Sequence, residues 1–299
     1  MKSLFAAVVV SGVAALCGPS AALAGDEYPR QDLLVEPAIL GEAKEAKPFV
    51  VLDAREKKKF DAGHVPAARW VDHAAWAKGF GDGQDAEGWG KRIGELGIGT
   101  ASQVVVYDDN FSKDSARIWW ILRYWGVKDV RLLNGGWSGW EKGKHSTATG
   151  ETAISPVAFK AVAAADRLAT KDELLKSLGG GKLQIVDARS EKEFCGVDAM
   201  SNKKAGAMPG AKQLEWIDLI DKGTQRFKSP ADLKKLFDDA GVKLDRPTAT
   251  HCQSGGRAAV MAYGLELMGA KDVKNYYRSW SEWGNDADTP VVKPGPKKK

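Results

Sequence analysis

The sequence predicts an α/β protein with two tandem domains, each built on a parallel sheet that helices cover on both faces. Four observations support this fold class. The chain has 299 residues, and a typical domain holds about 100–200. Its two halves share motifs in the same order, and short apolar runs alternate with amphipathic segments. Hydrophobic residues at 43% and charged residues at 28% are typical of globular proteins.

The internal repeat is the main organisational feature. A period this long indicates two duplicated domains. The second copy carries nine extra residues between Phe194 and Gly206. The matching motifs are Asp53-Ala54-Arg55 with Asp187-Ala188-Arg189, Gly63 to Ala68 with Gly206 to Ala211, Gly126 to Val130 with Gly269 to Val273, and Trp137 to Trp140 with Trp280 to Trp283.

Each copy reads as strands alternating with helices. Apolar runs that end in a polar residue, as buried parallel strands do, predict strands; they are Phe49–Asp53, Val104–Asp108 and Leu183–Asp187, with the β-capable run Thr248–His251 beside them. Helical periodicity predicts helices at Ser115–Tyr124, Asp232–Ala240 and Ala258–Met268. Gly241 follows the second of these as a stop signal.

The segment 1–24 has the pattern of a cleavable signal peptide. Lys2 precedes an apolar run from Leu4 to Leu16, and Ala22-Leu23-Ala24 is an A-x-A cleavage site. We therefore expect export and a periplasmic location. Lipoprotein processing at Cys17 is the alternative, although Leu16 stands where a small residue is usual. The predicted domains are 25–149 and 166–290, with a small-residue linker at 150–165 and a basic tail at 291–299.

Charge and cysteine content exclude several functions. The formal charge is +5, and the tail supplies much of it, so nucleic-acid binding is not indicated. The four histidines lack metal-ligand spacing and there is no C-x-x-C motif. Removal of the leader would leave Cys195 and Cys252, which could form one disulfide.

The segment Cys252–Arg257 is the candidate active-site loop. It follows a predicted strand and precedes a predicted helix, where parallel α/β sheets place their sites. Its two glycines allow backbone N–H groups to converge into an anion-binding nest. The helix N-terminus and Arg257 add positive charge, so the setting favours a thiolate. The alternative is that Cys252 is an inert core residue.

The first copy provides an internal comparison. An offset of 143 places Asp109 opposite Cys252 and Asp114 opposite Arg257. We therefore expect the first domain to be non-catalytic and a cleft to form between the domains. Asp187 with Arg189 is predicted to be a buried pair that supports the loop, and Arg189 is a candidate substrate contact.

These features together resemble the tandem-domain rhodaneses, the thiosulfate and 3-mercaptopyruvate sulfurtransferases, in an exported bacterial form. The similarity extends over about residues 30–286. It implies that Cys252 takes sulfane sulfur from a donor as a persulfide and passes it to cyanide or a thiol, without a metal or organic cofactor. It also implies that the nest-forming residues bind the persulfide and the donor; they are Gln253, Ser254, Gly255, Gly256 and Arg257.

Two departures from the family pattern leave the donor open. The loop reads C-Q-S-G-G-R, and Glu193 stands where animal enzymes have an arginine that contacts the substrate anion. We expect Arg257 to bear more of the anion binding, and thiosulfate to be the donor. Alternatives are 3-mercaptopyruvate, a low-turnover persulfide carrier for a periplasmic protein, and a phosphatase-like use of the loop. Cys195 is a candidate resolving thiol for oxidised Cys252.

Overall fold

A computed structural model describes residues 27–42 and 49–295. The predicted leader and the last residues of the basic tail lie outside these ranges. The first half contains strands β1 Leu34–Val35, β2 Val50–Asp53, β3 Arg69–Trp70, β4 Gln103–Tyr107 and β5 Asp129–Leu133, and helices α1 Pro37–Glu42, α2 Lys57–Ala62, α3 His73–Phe80, α4 Ala86–Glu95, α5 Lys113–Tyr124 and α6 Gly136–Lys142.

The second half repeats this order after the linker. Its helices are α7 Lys171–Ser177, α8 Glu191–Phe194, α9 Pro230–Asp239, α10 Gly256–Leu267 and α11 Ser279–Trp283, and its strands are β6 Gln184–Asp187, β7 Lys212–Gln213, β8 Thr248–His251 and β9 Val273–Asn275. Short 3-10 turns lie at Gln31–Leu33, Ala165–Arg167 and Trp216–Leu219.

Both sheets are wholly parallel, in the orders β1-β5-β4-β2-β3 and β7-β6-β8-β9. The predicted fold class is therefore confirmed. The second sheet keeps a remnant of the first strand, because Leu168 forms a parallel bridge with Asn275 of β9. Strand β8 has its predicted bounds, and α9 ends before Gly241, whose φ of +68° is the left-handed conformation of a helix stop.

One hydrophobic core joins the two domains. Helices α5 and α10 pack together, with the Trp119 and Tyr263 rings edge to face at 4.9 Å. Leu52 and Val106 contribute from the first sheet to the same cluster that Val186 joins from the second. The outer face of each sheet has its own smaller cluster. Because the domains share closely packed side chains, the elements on either side of the interdomain cleft are held rigidly.

The segment 150–165 runs along the first domain. Val157 N donates to Gly94 O at 3.0 Å, and Val162 N donates to Trp125 O at 3.2 Å. Phe159 joins the shared core. Within the described ranges, no helix combines the length and the apolar character needed to cross a membrane.

Candidate active site

Cys252 lies at the carboxyl edge of the second sheet, directly after β8. Its side chain is buried in the shared core, with the residue 1% exposed. Its carbonyl oxygen accepts from Trp280 N at 3.0 Å, and its N–H donates to Ser279 Oγ at 3.1 Å. Cys252 and Cys195 are both free thiols. The backbone of the cysteine is thus fixed from both sides by the start of α11.

Ser279 fixes the shape of the loop. Its hydroxyl accepts from Cys252 N and from Gly255 N at 3.1 and 3.2 Å, and donates to Tyr276 O at 2.7 Å. Ser279 has φ +53° and Gly255 has φ +84°, so a serine adopts the left-handed conformation here at some conformational cost. The three hydrogen bonds offset that cost.

Four loop N–H groups remain available. In the part of the chain that the structure describes, no protein atom accepts from the backbone N of Gln253, Ser254, Gly256 or Arg257. These groups belong to the turn and to the first residues of α10, whose N-terminus carries partial positive charge. A turn with unpaired donors beside a buried thiol is suited to bind an anion.

The first domain has Asp108, rather than Asp109, at the position of the cysteine. In the strand register, Tyr107 lies opposite Asp53 as His251 lies opposite Asp187. The residues that follow the two strands, Asp108 and Cys252, are therefore equivalent. Trp137 N also donates to Asp108 O at 2.8 Å, as the matching tryptophan does to Cys252. The offset of 143 fails here because the first loop has one residue more between its strand and its helix.

The Asp108 carboxylate fills the nest of the first domain. Oδ1 accepts from the backbone N of Asn110 and Ser112 at 2.9 and 3.0 Å, and Oδ2 accepts from that of Asp114 and Ser115 at 2.9 and 2.7 Å. The first copy therefore fills its nest with a carboxyl group of its own, and the second copy has a thiol and unpaired donors in the same place. The first domain lacks a sulfur nucleophile at this position.

Arg257 already has a counter-ion. Its Nη1 and Nη2 donate to the two Glu193 oxygens at 2.7 and 2.8 Å, a bidentate pair with side chains 19% and 5% exposed. Burial raises the pKa of Glu193, but the hydrogen bonds and charge of Arg257, with Ser190, bring it below the usual value. Burial opposes the charge of Arg257, yet the hydrogen bonds and charge of Glu193 hold its pKa above the usual value. The guanidinium is fixed in place, and part of its field is cancelled.

Asp187 and Arg189 form the buried pair predicted from the sequence. Arg189 Nη2 lies 2.5 Å from Asp187 Oδ2, donates to Gly206 O at 2.7 Å, and stacks 4.0 Å above the Trp280 ring. Asp53 and Arg55 form the same pair in the first domain. The predicted burial and pairing are observed, and the role of the pair in supporting the loop stays a prediction. Substrate contact by Arg189 stays a prediction, and its 1% exposure favours the supporting role.

His251 is enclosed behind the loop. Its Nε2 lies 3.4 Å from Asp187 Oδ2, and its ring stacks on Trp280. Burial lowers the pKa of His251 to about 4, although the Asp187 charge opposes the shift. The imidazole is therefore neutral at ordinary pH.

The extra residues of the second copy reach the loop. Gln253 and Asn202 exchange two amide hydrogen bonds of 3.1 Å, and Asn285 Nδ2 donates to Asn202 Oδ1 at 2.9 Å. The insertion thus determines where the Gln253 side chain lies. Ser254 is exposed beside it, in the wall of an interdomain cleft of about 570 Å³.

Sequence reasoning missed Ser279, Asn202 and the contributions of the first domain to the cleft. No signal marks Asn202, which lies in an insertion without a counterpart. Ser279 could have been noticed, because it replaces Gly136 of the first copy, where φ is +54°.

Comparison with known proteins agrees with this geometry. The family model for the rhodanese-like domain matches residues 36–143 and 170–286. The chain therefore belongs to the rhodanese family and has two such domains in tandem.

Curated relatives extend over most of the chain. A thiosulfate sulfurtransferase of Azotobacter vinelandii is 32% identical and covers 89% of this chain and 99% of its own. One of Pseudomonas aeruginosa is 31% identical, with 87% and 96% covered. A sulfur carrier protein of Thermus thermophilus is 31% identical, with 78% and 87% covered. The protein is a rhodanese-like sulfurtransferase.

Solved structures show the same fold. An anaerobic ergothioneine biosynthesis enzyme from Chlorobium limicola matches with a TM-score of 0.77 at 21% identity, covering 91% of this chain and 72% of its own. At this identity the likeness concerns the fold alone.

Proposed function

We propose that the protein transfers sulfane sulfur from thiosulfate to cyanide or a thiol through a persulfide on Cys252. The observation that carries the proposal is the contrast between the two loops. Asp108 satisfies four N–H groups in the first domain, whereas the second has a cysteine and unpaired donors. Such a nest suits a thiolate or a persulfide anion.

In the first step, the Cys252 thiolate attacks the outer sulfur of thiosulfate. The new S–S bond forms as the bond to the sulfonate sulfur breaks, and sulfite leaves with that electron pair. The free N–H groups of Gln253, Ser254 and Gly256 would stabilise the terminal sulfur anion. Cyanide then attacks the outer persulfide sulfur, thiocyanate leaves, and the thiolate is restored. Ping-pong kinetics are expected.

The test is the intact mass of the full mature chain after thiosulfate treatment and again after cyanide. We expect a gain of one sulfur atom, lost with release of thiocyanate, and no gain in Cys252→Ala. Cys195→Ala serves as the control that keeps the proposed nucleophile and should behave as wild type. If Cys252→Ala gained the sulfur as well, the assignment would be wrong.

A low-turnover sulfur carrier is the second candidate. The Glu193 carboxylate on Arg257 favours it, because a negative charge beside the loop disfavours anionic small donors. A sulfur carrier protein also stands among the relatives. Rapid steady-state formation of thiocyanate would exclude this candidate, whereas one sulfur gained per chain with slow release would favour it. The donor 3-mercaptopyruvate remains to be compared in the same assay.

We also propose export to the periplasm, on the pattern of residues 1–24. The acceptor would then be a periplasmic thiol, cyanide or protein. N-terminal sequencing of the secreted chain should begin at Gly25; retention of Lys2 would contradict the proposal.

A further inference from the structure

The cleft between the domains contains basic side chains that form no ion pair among the described residues. Ser254 of the loop lies in its wall, and the first domain contributes Lys78 from α3 and Lys113 and Arg117 from α5. Across residues 27–42 and 49–295, no carboxylate lies within 4.0 Å of any of these three cations.

The acidic groups in the same cleft are already engaged. Asp114 accepts from Asn110 Nδ2 at 2.8 Å and lies 3.7 Å from His73 Nε2. Glu282 lies 3.0 Å from Arg278 Nε. The cleft therefore has an excess of positive charge next to the catalytic loop.

The Arg117 side chain packs against Gly256 at the start of α10. A Cβ at Gly256 would lie 2.9 Å from Arg117 Cζ, so only glycine allows this approach. Arg117 Nη1 donates to the Tyr277 hydroxyl at 3.4 Å, and the guanidinium lies 5.7 Å from the Tyr277 ring centroid. A cation beside the positive end of a helix is unfavourable by itself. An anion bound there would be attracted by both.

We propose that Arg117, with Lys78 and Lys113, binds the oxyanion end of the sulfur donor while the transferable sulfur reaches Cys252. This inference rests on the proposed sulfur transfer. Its ligand class is a small anion with a sulfonate or carboxylate beside the sulfur, as in thiosulfate or 3-mercaptopyruvate. The non-catalytic domain would then supply the donor specificity that Arg257, paired with Glu193, cannot supply alone.

The first experiment tests the anion site without sulfur transfer. Rates of Cys252 alkylation by anionic iodoacetate and neutral iodoacetamide are compared in the full chain. Arg117→Gln should lower the iodoacetate-to-iodoacetamide ratio by about tenfold, and added salt should lower it in the wild type. Arg123→Gln, on the same helix, is the matched control and should stay within about twofold. Arg117→Lys should restore much of the ratio. An unchanged ratio in Arg117→Gln would overturn the proposal.

The second experiment uses the donors themselves. Arg117→Gln should raise KM at least about tenfold for thiosulfate, for 3-mercaptopyruvate or for both, and the donor affected is the one that binds there. Discharge of a preformed persulfide by the uncharged thiol dithiothreitol should be unchanged. A KM that is unaltered for both donors would refute the site. If the wild type takes sulfur from neither donor, the proposed function fails, while the alkylation ratio still decides the anion site.

Discussion

Replacing Glu193 with Gln removes the negative charge that opposes Arg257 and keeps the shape of the side chain. The two groups form a bidentate pair at 2.7 and 2.8 Å, with Glu193 nearly buried. An anion on the free edge of the guanidinium would lie roughly 6 Å from the carboxylate, and such charges repel by about 2–3 kcal/mol at an effective dielectric constant of about 20. Since Arg257 is partly exposed, we expect about a tenfold gain in kcat/KM for thiosulfate rather than the full effect.

The assay is steady-state thiocyanate formation, beside thermal unfolding of the same samples. Loss of the charged partner should lower the free energy of unfolding by about 1–3 kcal/mol. Glu191→Gln removes a charge from the first turn of the same helix and is the matched control. An unchanged or lower kcat/KM in folded Glu193→Gln would refute the reasoning, because it would mean that Glu193 does not limit donor binding.

Three further changes test the loop and its support. Gly255→Ala forces an alanine to adopt φ +84° and places its Cβ 2.7 Å from a carbonyl oxygen, so chemical denaturation should show a free energy of unfolding lower by more than about 2 kcal/mol. The control Gly241→Ala, at φ +68° with open space around the new Cβ, should lower the free energy of unfolding by only about 1 kcal/mol. Ser279→Ala leaves two loop N–H groups without their acceptor, so we expect the free energy of unfolding to fall by about 1–3 kcal/mol. Persulfide formation should also be slower in stopped-flow assays. An unaffected rate would show that the hydroxyl does not shape the nest. Because the pKa of His251 is about 4 against an ordinary 6.5, the unfolded chain binds a proton between these pH values that the folded chain does not. Stability should thus fall by up to about 3 kcal/mol as pH drops from about 6.5 to 4, and His251→Gln should flatten that part of the pH–stability profile.

Much of the fold was predictable because its signals are local. Strand β8 and the stop at Gly241 follow from short-range pattern and backbone preference. The repeat predicted two domains, and the Asp187–Arg189 pair was expected from the rarity of unpaired buried charge. The alignment of the loops was wrong by one position, because a single added residue before α5 is invisible to a constant offset.

The sequence by itself determined the fold class, the duplication and the position of Cys252 at a strand-to-helix turn. The elements and the turn depend on short-range patterns, and the duplication shows as motifs that recur in the same order in both halves. Only the tertiary structure decided which charges meet. Glu193, 64 residues away in the sequence, cancels part of the positive charge of Arg257. Arg117 contacts the start of α10 from the other domain. Such pairings depend on how helices and loops pack, and electrostatic interactions act through space rather than along the chain.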